Sequence, residues 1–181
     1  MERIWLHDVA VAIRLRPIGP QDKDALVRFH SQLSDDTRYR RYHAAKGHLS
    51  SADLNYFTEV DQERHVALVA HPAQDEGDLL GVARSVSSPQ APEEAEIAIV
   101  VRDDQHGTGL GADLIEAIIG RAEDTGVRHV VAQVQADNHR ALRLFQGFGF
   151  RQRAWDGGVR ELVRDLGDDA VPAQDEPRAA A

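Results

Sequence analysis

Hydrophobic and polar positions along this chain switch between a period of two and a period near 3.6, the spacings of strands and helices. The run Val9-Ala10-Val11-Ala12-Ile13-Arg14-Leu15-Arg16 alternates in its second half and stops at Pro17, which predicts a first strand. Pro20 then opens a stretch with Ala25, Leu26, Phe29 and Leu33 at helical spacing. Ser34-Asp35-Asp36 reads as the cap of a second short helix carrying Arg38, Tyr39, Arg40, Arg41 and Tyr42. Ser50-Ser51 reads as the cap of a third, with Leu54 and Phe57 inward. The period then shortens. His65 to Ala70, Leu79 to Val86 and Ala95 to Val101 predict three strands joined by polar loops, an antiparallel meander.

Gly107-Thr108-Gly109-Leu110-Gly111 follows, and then an amphipathic helix to about Asp124 with Leu114, Ile115, Ile118 and Ile119 on one face. Val127 to Val134 predicts a strand, Asn138 to Gln146 a helix and Phe148 to Arg153 a strand. Asp156-Gly157-Gly158 is a hairpin turn before Val159 to Leu166. The order condenses to β-α-α-β-β-β-α-β-α-β-β, an α+β fold with a mixed, mostly antiparallel sheet flanked by helices. Residues 1–166 read as a single domain. Residues 167–181 hold Ala, Pro and acids with a single branched apolar residue, and are expected to form a disordered acidic tail.

Composition narrows the chemistry. The 181 residues contain no cysteine, which removes thiol catalysis, disulfides and cysteine zinc sites from consideration. Lys plus Arg number 21 against 30 Asp plus Glu, a formal charge of −9 that argues against a nucleic-acid partner. No apolar run approaches the ~18 residues needed to span a bilayer, and residues 1–8 lack a secretory core, so a soluble cytoplasmic protein without a membrane partner is expected. The nine histidines form no His-x-x-x-His or His-Glu-x-x-His pair, so no metal is expected. Ser85, Ser87 and Ser88 lie in no nucleophile elbow.

The strand, glycine-rich loop and long helix are where chemistry is expected. Unbonded N–H groups at a helix start favour phosphate, and glycines let a ligand approach the backbone. The loop lacks the Gly-Lys-Ser/Thr of a P-loop, and its G-x-G-x-G spacing differs from the dinucleotide fingerprint.

Val100 to Gly111 resembles motif A of the GCN5-related N-acetyltransferases, whose loop reads Gln/Arg-x-x-Gly-x-Gly/Ala. Asn138 to Phe150 resembles their motif B, Asn-x-x-Ala-x-x-Leu-Tyr-x-x-x-Gly-Phe. The element order matches that fold from about Ile13 to Leu166. The resemblance implies acetyl-CoA as acetyl donor. Backbone groups of Ile99, Val100 and Val101 would pair with the pantetheine arm like an added strand. The amides of Gly107, Thr108, Gly109, Leu110 and Gly111 would hold the diphosphate, and Asn138 would meet the cofactor near its thiol end. Ala112, Ala141 and Arg143 complete the implied cofactor set. His106 stands where the family usually has Gln or Arg, and Phe145 where it often has the Tyr that protonates the leaving thiolate.

An amine attacks a thioester only when neutral. A lysine with pKa ~10.4 is neutral in about one molecule per 2,500 at pH 7, equivalent to roughly 4–5 kcal/mol of barrier. Alternation places Glu94, Glu96, Ala98 and Val100 on one face of the third meander strand. Glu96 is thus a carboxylate in an otherwise apolar strand, and partial burial is expected to make it a better general base. It lies three residues, about 10 Å, from Ile99, which suits one or two relaying waters. The competing reading pairs Glu96 with Arg84.

Arg38 to Tyr42 and Arg102-Asp103-Asp104 are similar to the catalytic domain of Pat-type bacterial protein-lysine acetyltransferases, which act on enzymes such as acyl-CoA synthetases. That resemblance implies a protein substrate with an exposed lysine. A small amine (polyamine, aminoglycoside or amino acid) is the alternative acceptor, and a non-catalytic acyl-CoA sensor the alternative class. His43 and His65 are weighed as groove residues and read as satisfied surface histidines.

Overall fold

The computed structural model describes residues 3–6, 9–42 and 46–167; His43 and the tail from residue 168 onward lie outside them. Among the described residues, eight strands form one sheet. They are β1 (Arg3–Leu6), β2 (Val9–Pro17), β3 (His65–Pro72), β4 (Gly81–Ser88), β5 (Ala91–Val101), β6 (His129–Gln135), β7 (Arg151–Asp156) and β8 (Val159–Asp165). Their order is β1-β2-β3-β4-β5-β6-β8-β7, and every pair is antiparallel except β5 with β6. The helices are α1 (Lys23–Gln32), α2 (Asp35–Tyr42), α3 (Ser51–Thr58), α4 (Leu110–Asp124) and α5 (His139–Gly147).

The expected α+β sheet and its meander are present, with one strand and one helix more than the condensed order. The extra strand, β1, pairs Arg3 to Leu6 with Ala12 to Val9. β5 starts at Ala91, four residues before its apolar run. Its first rungs follow a register shift at Ser87/Ser88, where Pro92 is tolerated outside the regular ladder. Ser34 and Ser50 cap as predicted. Thr37 N–H donates to Ser34 Oγ at 3.2 Å, and Ser50 and Asp53 form a reciprocal capping box.

Two apolar layers sandwich the sheet. On one face α4 buries Leu110, Leu114, Ile115 and Ile118 against β3, β4 and β5, with Phe145 and Phe150 stacked edge-to-face beside them. On the other, Leu26 and Phe29 of α1 cover Ala67, Val69, Val82 and Val100, with Leu54 and Phe57 of α3 at the rim. Strand alternation assigns Val82, Arg84, Ala98, Val100 and Glu96 to this second face, since Val82 opposes Val100 and Arg84 opposes Ala98.

Candidate active site

The feature that makes a site is an unfinished ladder. β5 pairs with β4 along its length to Val101, but with β6 only from Glu94 to Glu96, opposite His129 to Val131. Beyond Glu96 the two strands part. The β5 edge from Ile97 to Val101 therefore has no strand on its β6 side, and a cleft of about 630 Å³ opens there.

One wall is strand backbone at Ile99, Val100 and Val101; a second is the loop and first turn of α4; a third is the start of α5; and α2 closes the fourth side. Ten of the thirteen cofactor residues expected from the sequence line this cleft: Ile99, Val100, Val101, His106, Gly107, Gly109, Gly111, Ala112, Asn138 and Ala141. Three do not. Leu110 turns its side chain into the core, the Thr108 hydroxyl donates back to Gln105 O at 2.8 Å, and Arg143 is exposed one helical turn away, with Arg140 facing the cleft in its place.

The loop has the conformation an anion site needs. Gly107 and Gly109 sit at φ +86° and +100°, left-handed backbone that other L residues rarely adopt. The N–H groups of Gly107, Thr108, Gly109 and Gly111 have no acceptor among the described residues, and that of Leu110 reaches only Thr108 Oγ1 at 3.4 Å. These amides gather at the positive end of the 15-residue α4. Gly111 has a different reason to be glycine. A Cβ there would stand 3.2 Å from Leu144 Cδ2, so its absence lets α4 and α5 close together behind the loop.

His106 folds back on the strand, its Nε2 donating to Val101 O at 3.1 Å. Asn138 caps α5, its Oδ1 accepting from Ala141 N–H at 3.1 Å, which leaves the side-chain NH₂ as the available donor. Phe145 is buried in the core beneath α5 and does not line the cleft, so that position provides neither an acid nor a cofactor contact.

The loop is tied to α2. Asp103 accepts from Ser34 N–H at 2.9 Å, Ser34 Oγ at 2.7 Å and Thr37 Oγ1 at 2.7 Å. Burial pushes the Asp103 carboxyl up, but these donors outweigh it and leave the group below its ordinary range. Arg102 spans Asp78 at 2.6 Å and Asp104 at 2.7 Å. These bonds give the Arg102-Asp103-Asp104 segment its physical role: it fixes helix and loop as one wall.

Glu96 stands at the last shared rung of β5 and β6 and is not among the residues that line the cleft. It is exposed, not partly buried as expected, since alternation assigns it a face but not a cover. It does not pair with Arg84 either. That guanidinium turns away, donating to Phe57 O at 2.8 Å and meeting His65 Nε2 at 3.1 Å. Glu96 has no hydrogen-bond or ion-pair partner among the described residues, and Arg41 is a cation whose field it feels.

Sequence reasoning had no means to place Asp36, Arg40, Gln105 and Asp137 at the cleft. Gln105 is 1% exposed with both side-chain amide atoms unpartnered there. Only Arg40 and its neighbours carried a signal, as part of the basic stretch on α2.

Residues 28–150 match the model of the acetyltransferase (GNAT) family. Acetyltransferase Pat of Mycolicibacterium smegmatis is 31% identical over 163 residues, covering 90% of this chain and 48% of that protein. The chain thus spans about half the length of that relative. Acetyltransferase PA5475 of Pseudomonas aeruginosa is 28% identical over 155 residues, 84% of this chain and 82% of the relative. Among solved structures, the GNAT domain of S. lividans PAT superposes with a TM-score of 0.78 at 32% identity, covering 85% of this chain and 90% of that one.

Proposed function

Because the chain belongs to the acetyltransferase (GNAT) family, we propose that it carries the acetyl group of acetyl-CoA to the side-chain amine of a protein lysine, with Glu96 receiving the amine's proton through one or two waters. Acetyltransferases of this family take their acetyl group from acetyl-CoA. The single observation that carries the reading is the parting of β5 from β6 after Glu96, which leaves a strand edge and an unbonded amide loop around one cleft, with the Glu96 carboxylate where the two strands part.

The thioester supplies an activated acetyl group; everything else is asked of the chain. The amides of Gly107 to Gly111 and the α4 dipole receive diphosphate, with Arg140 as a nearby cation. The β5 edge from Ile97 to Val101 offers N–H and C=O groups to an amide-bearing arm, in the manner of strand addition. Asn138 offers its NH₂ on the facing wall. Glu96, about 10 Å along the strand from Ile99, takes the proton and passes it to solvent, to which it is open. That openness supports an acceptor carried on another protein, and the likeness of Arg38 to Tyr42 to Pat-type domains points the same way. A cytoplasmic location, where acetyl-CoA is available, belongs to the same proposal.

The test is incubation with labelled acetyl-CoA and a cell lysate. Label in macromolecules supports lysine transfer, label in small amines moves the acceptor to that class, and uptake into neither overturns the proposal.

A further inference from the structure

Arg153 joins two strands that are not neighbours. It sits on β7, the outer strand of the sheet, yet its Nη1 and Nη2 reach both carboxylate oxygens of Glu94 on β5, at 2.5 and 3.3 Å. Its Nε meanwhile donates to Glu161 of β8 at 2.6 Å. Both β8 and β6 lie between β7 and β5. Neighbouring strands are ~4.8 Å apart, so a flat sheet would leave about 14 Å to cross. At this point the β7–β8 register shifts between Gln152 and Ala154, which makes Arg153 the additional residue of a bulge. A bulge bends its strand and re-aims a side chain, and here it brings the guanidinium across the sheet.

The link ends beside Glu96. Alternation puts Glu94 and Glu96 on one face of β5, about 7 Å apart along the strand, opposite His129 and Val131 of β6. Two unmatched carboxylates at that spacing would each favour the other's protonation. The remaining charged groups around Glu96 have their own engagements. His129 is paired with Asp165 at 2.8 Å, and Glu161 also accepts from Gln133 at 2.8 Å. Arg84 of β4 turns to Phe57 O and His65, and Arg41 of α2 is a cation in the field of Glu96. Of the four carboxylates on this face, Glu94, Glu96, Glu161 and Asp165, Glu96 is the one with no hydrogen-bond or ion-pair partner among the described residues.

We propose that Arg153 is a positioning residue: by engaging Glu94 it takes out a carboxylate two residues away that would otherwise share protons with Glu96, leaving Glu96 the free carboxylate where the strands part. The bulge in β7 is the device that makes this possible, since it carries a cation from the outer strand over to β5. Hydrogen bonds from Glu94 and Glu161 hold Arg153 firmly protonated, and Arg153 in turn keeps Glu161 below its ordinary range. The inference deepens the acetyl-transfer reading, and its kinetic half rests on Glu96 as the base.

The test follows the carboxyl carbon of Glu96 by NMR through an acid titration, its signal assigned by its loss in Glu96→Gln. In Arg153→Gln the midpoint is expected to rise by about half a pH unit, the effect of one unmatched charge ~7 Å away through water. Adding Glu94→Gln to that variant returns the midpoint toward the parent, and Arg153→Lys, which keeps the charge, moves it less. The rise shrinks at high salt. The acidic limb of kcat/KM, measured by CoA release, moves up by the same amount with its plateau little changed; a merely structural loss would lower the plateau and leave the limb in place. An unmoved midpoint in Arg153→Gln, or a rise that survives the added Glu94→Gln, overturns the proposal. A midpoint that rises while the kinetic limb stays supports the hold of Arg153 on Glu94 and strikes Glu96 as the base.

Discussion

Arg40 on α2 is bonded to Asp137, in the turn between β6 and α5, with Nη1 to Oδ1 at 3.0 Å and Nη2 to Oδ2 at 3.4 Å. Its Nε meanwhile holds Asp36 at 2.7 Å. Both Arg40 and Asp137 line the cleft, so this pair ties its α2 wall to its α5 wall. Asp137→Ala releases the tie and leaves Arg40, still bonded to Asp36, as a cation on the same cleft as the loop proposed to hold diphosphate. An exposed pair of this kind contributes about 0.2–1 kcal/mol. Acetyl-CoA association, followed by stopped-flow, is expected to quicken by up to about fivefold, with the gain shrinking at high salt. Slower association would remove the tie from the account.

Glu96→Gln removes the proposed proton acceptor and keeps the shape. Turnover is expected to fall by about 10²–10⁴-fold. Affinity for acetyl-CoA, measured by calorimetry, should be unchanged, since the cofactor cleft lies along the strand from this side chain. A variant that keeps the parent rate eliminates Glu96 as base.

The two left-handed glycines should respond unlike a helical one. Gly109→Ala at φ +100° forces strain of about 1–3 kcal/mol into the loop, lowering the Tm and abolishing stabilisation by acetyl-CoA. Gly120, inside α4 with nothing within 4 Å of an added Cβ, should gain about 0.4–1 kcal/mol as alanine and keep that stabilisation. Thermal melts with and without the thioester check both.

Acid stability should fall in two stages. Burial, with Arg84 beside it, brings His65 down to about 4, and burial with Arg38 lowers His30. The unfolded chain protonates these histidines near pH 6.5 while the folded chain does not, so stability is full above about 6.5 and declines toward 4. Asp22 and Asp103 are lowered despite burial, by Arg16 and Gly19 in one case and Ser34 and Thr37 in the other. Their contribution is present above about pH 4 and is lost below it. A Tm series over pH should show both declines, and His65→Gln should flatten the first.

Local signals wrote most of this fold, and long-range ones hid the rest. The apolar face of α4, the Ser50 box and the hairpin glycines are readable because their causes lie within a few residues. β1 carries no clear alternation, and its pairing depends on β2. The glycine loop was legible because positive φ demands a particular residue. The exposure of Glu96 and the turning of Arg84 toward His65 were not, because alternation assigns a face and says nothing of what covers it. Phe145 shows the same limit: a motif position placed it near the cofactor, while packing against Phe150 took it into the core.

Where β5 leaves β6, the described residues leave a gap that a guest molecule could close. A compound held there is in effect a temporary ninth strand, and at a hundred times its dissociation constant it would add about 2.7 kcal/mol to the folded state. If acetyl-CoA is that compound, the lifetime of the folded chain is coupled to the supply of the thioester. A cell short of acetyl-CoA would hold not only an idle catalyst but one more easily unfolded and degraded.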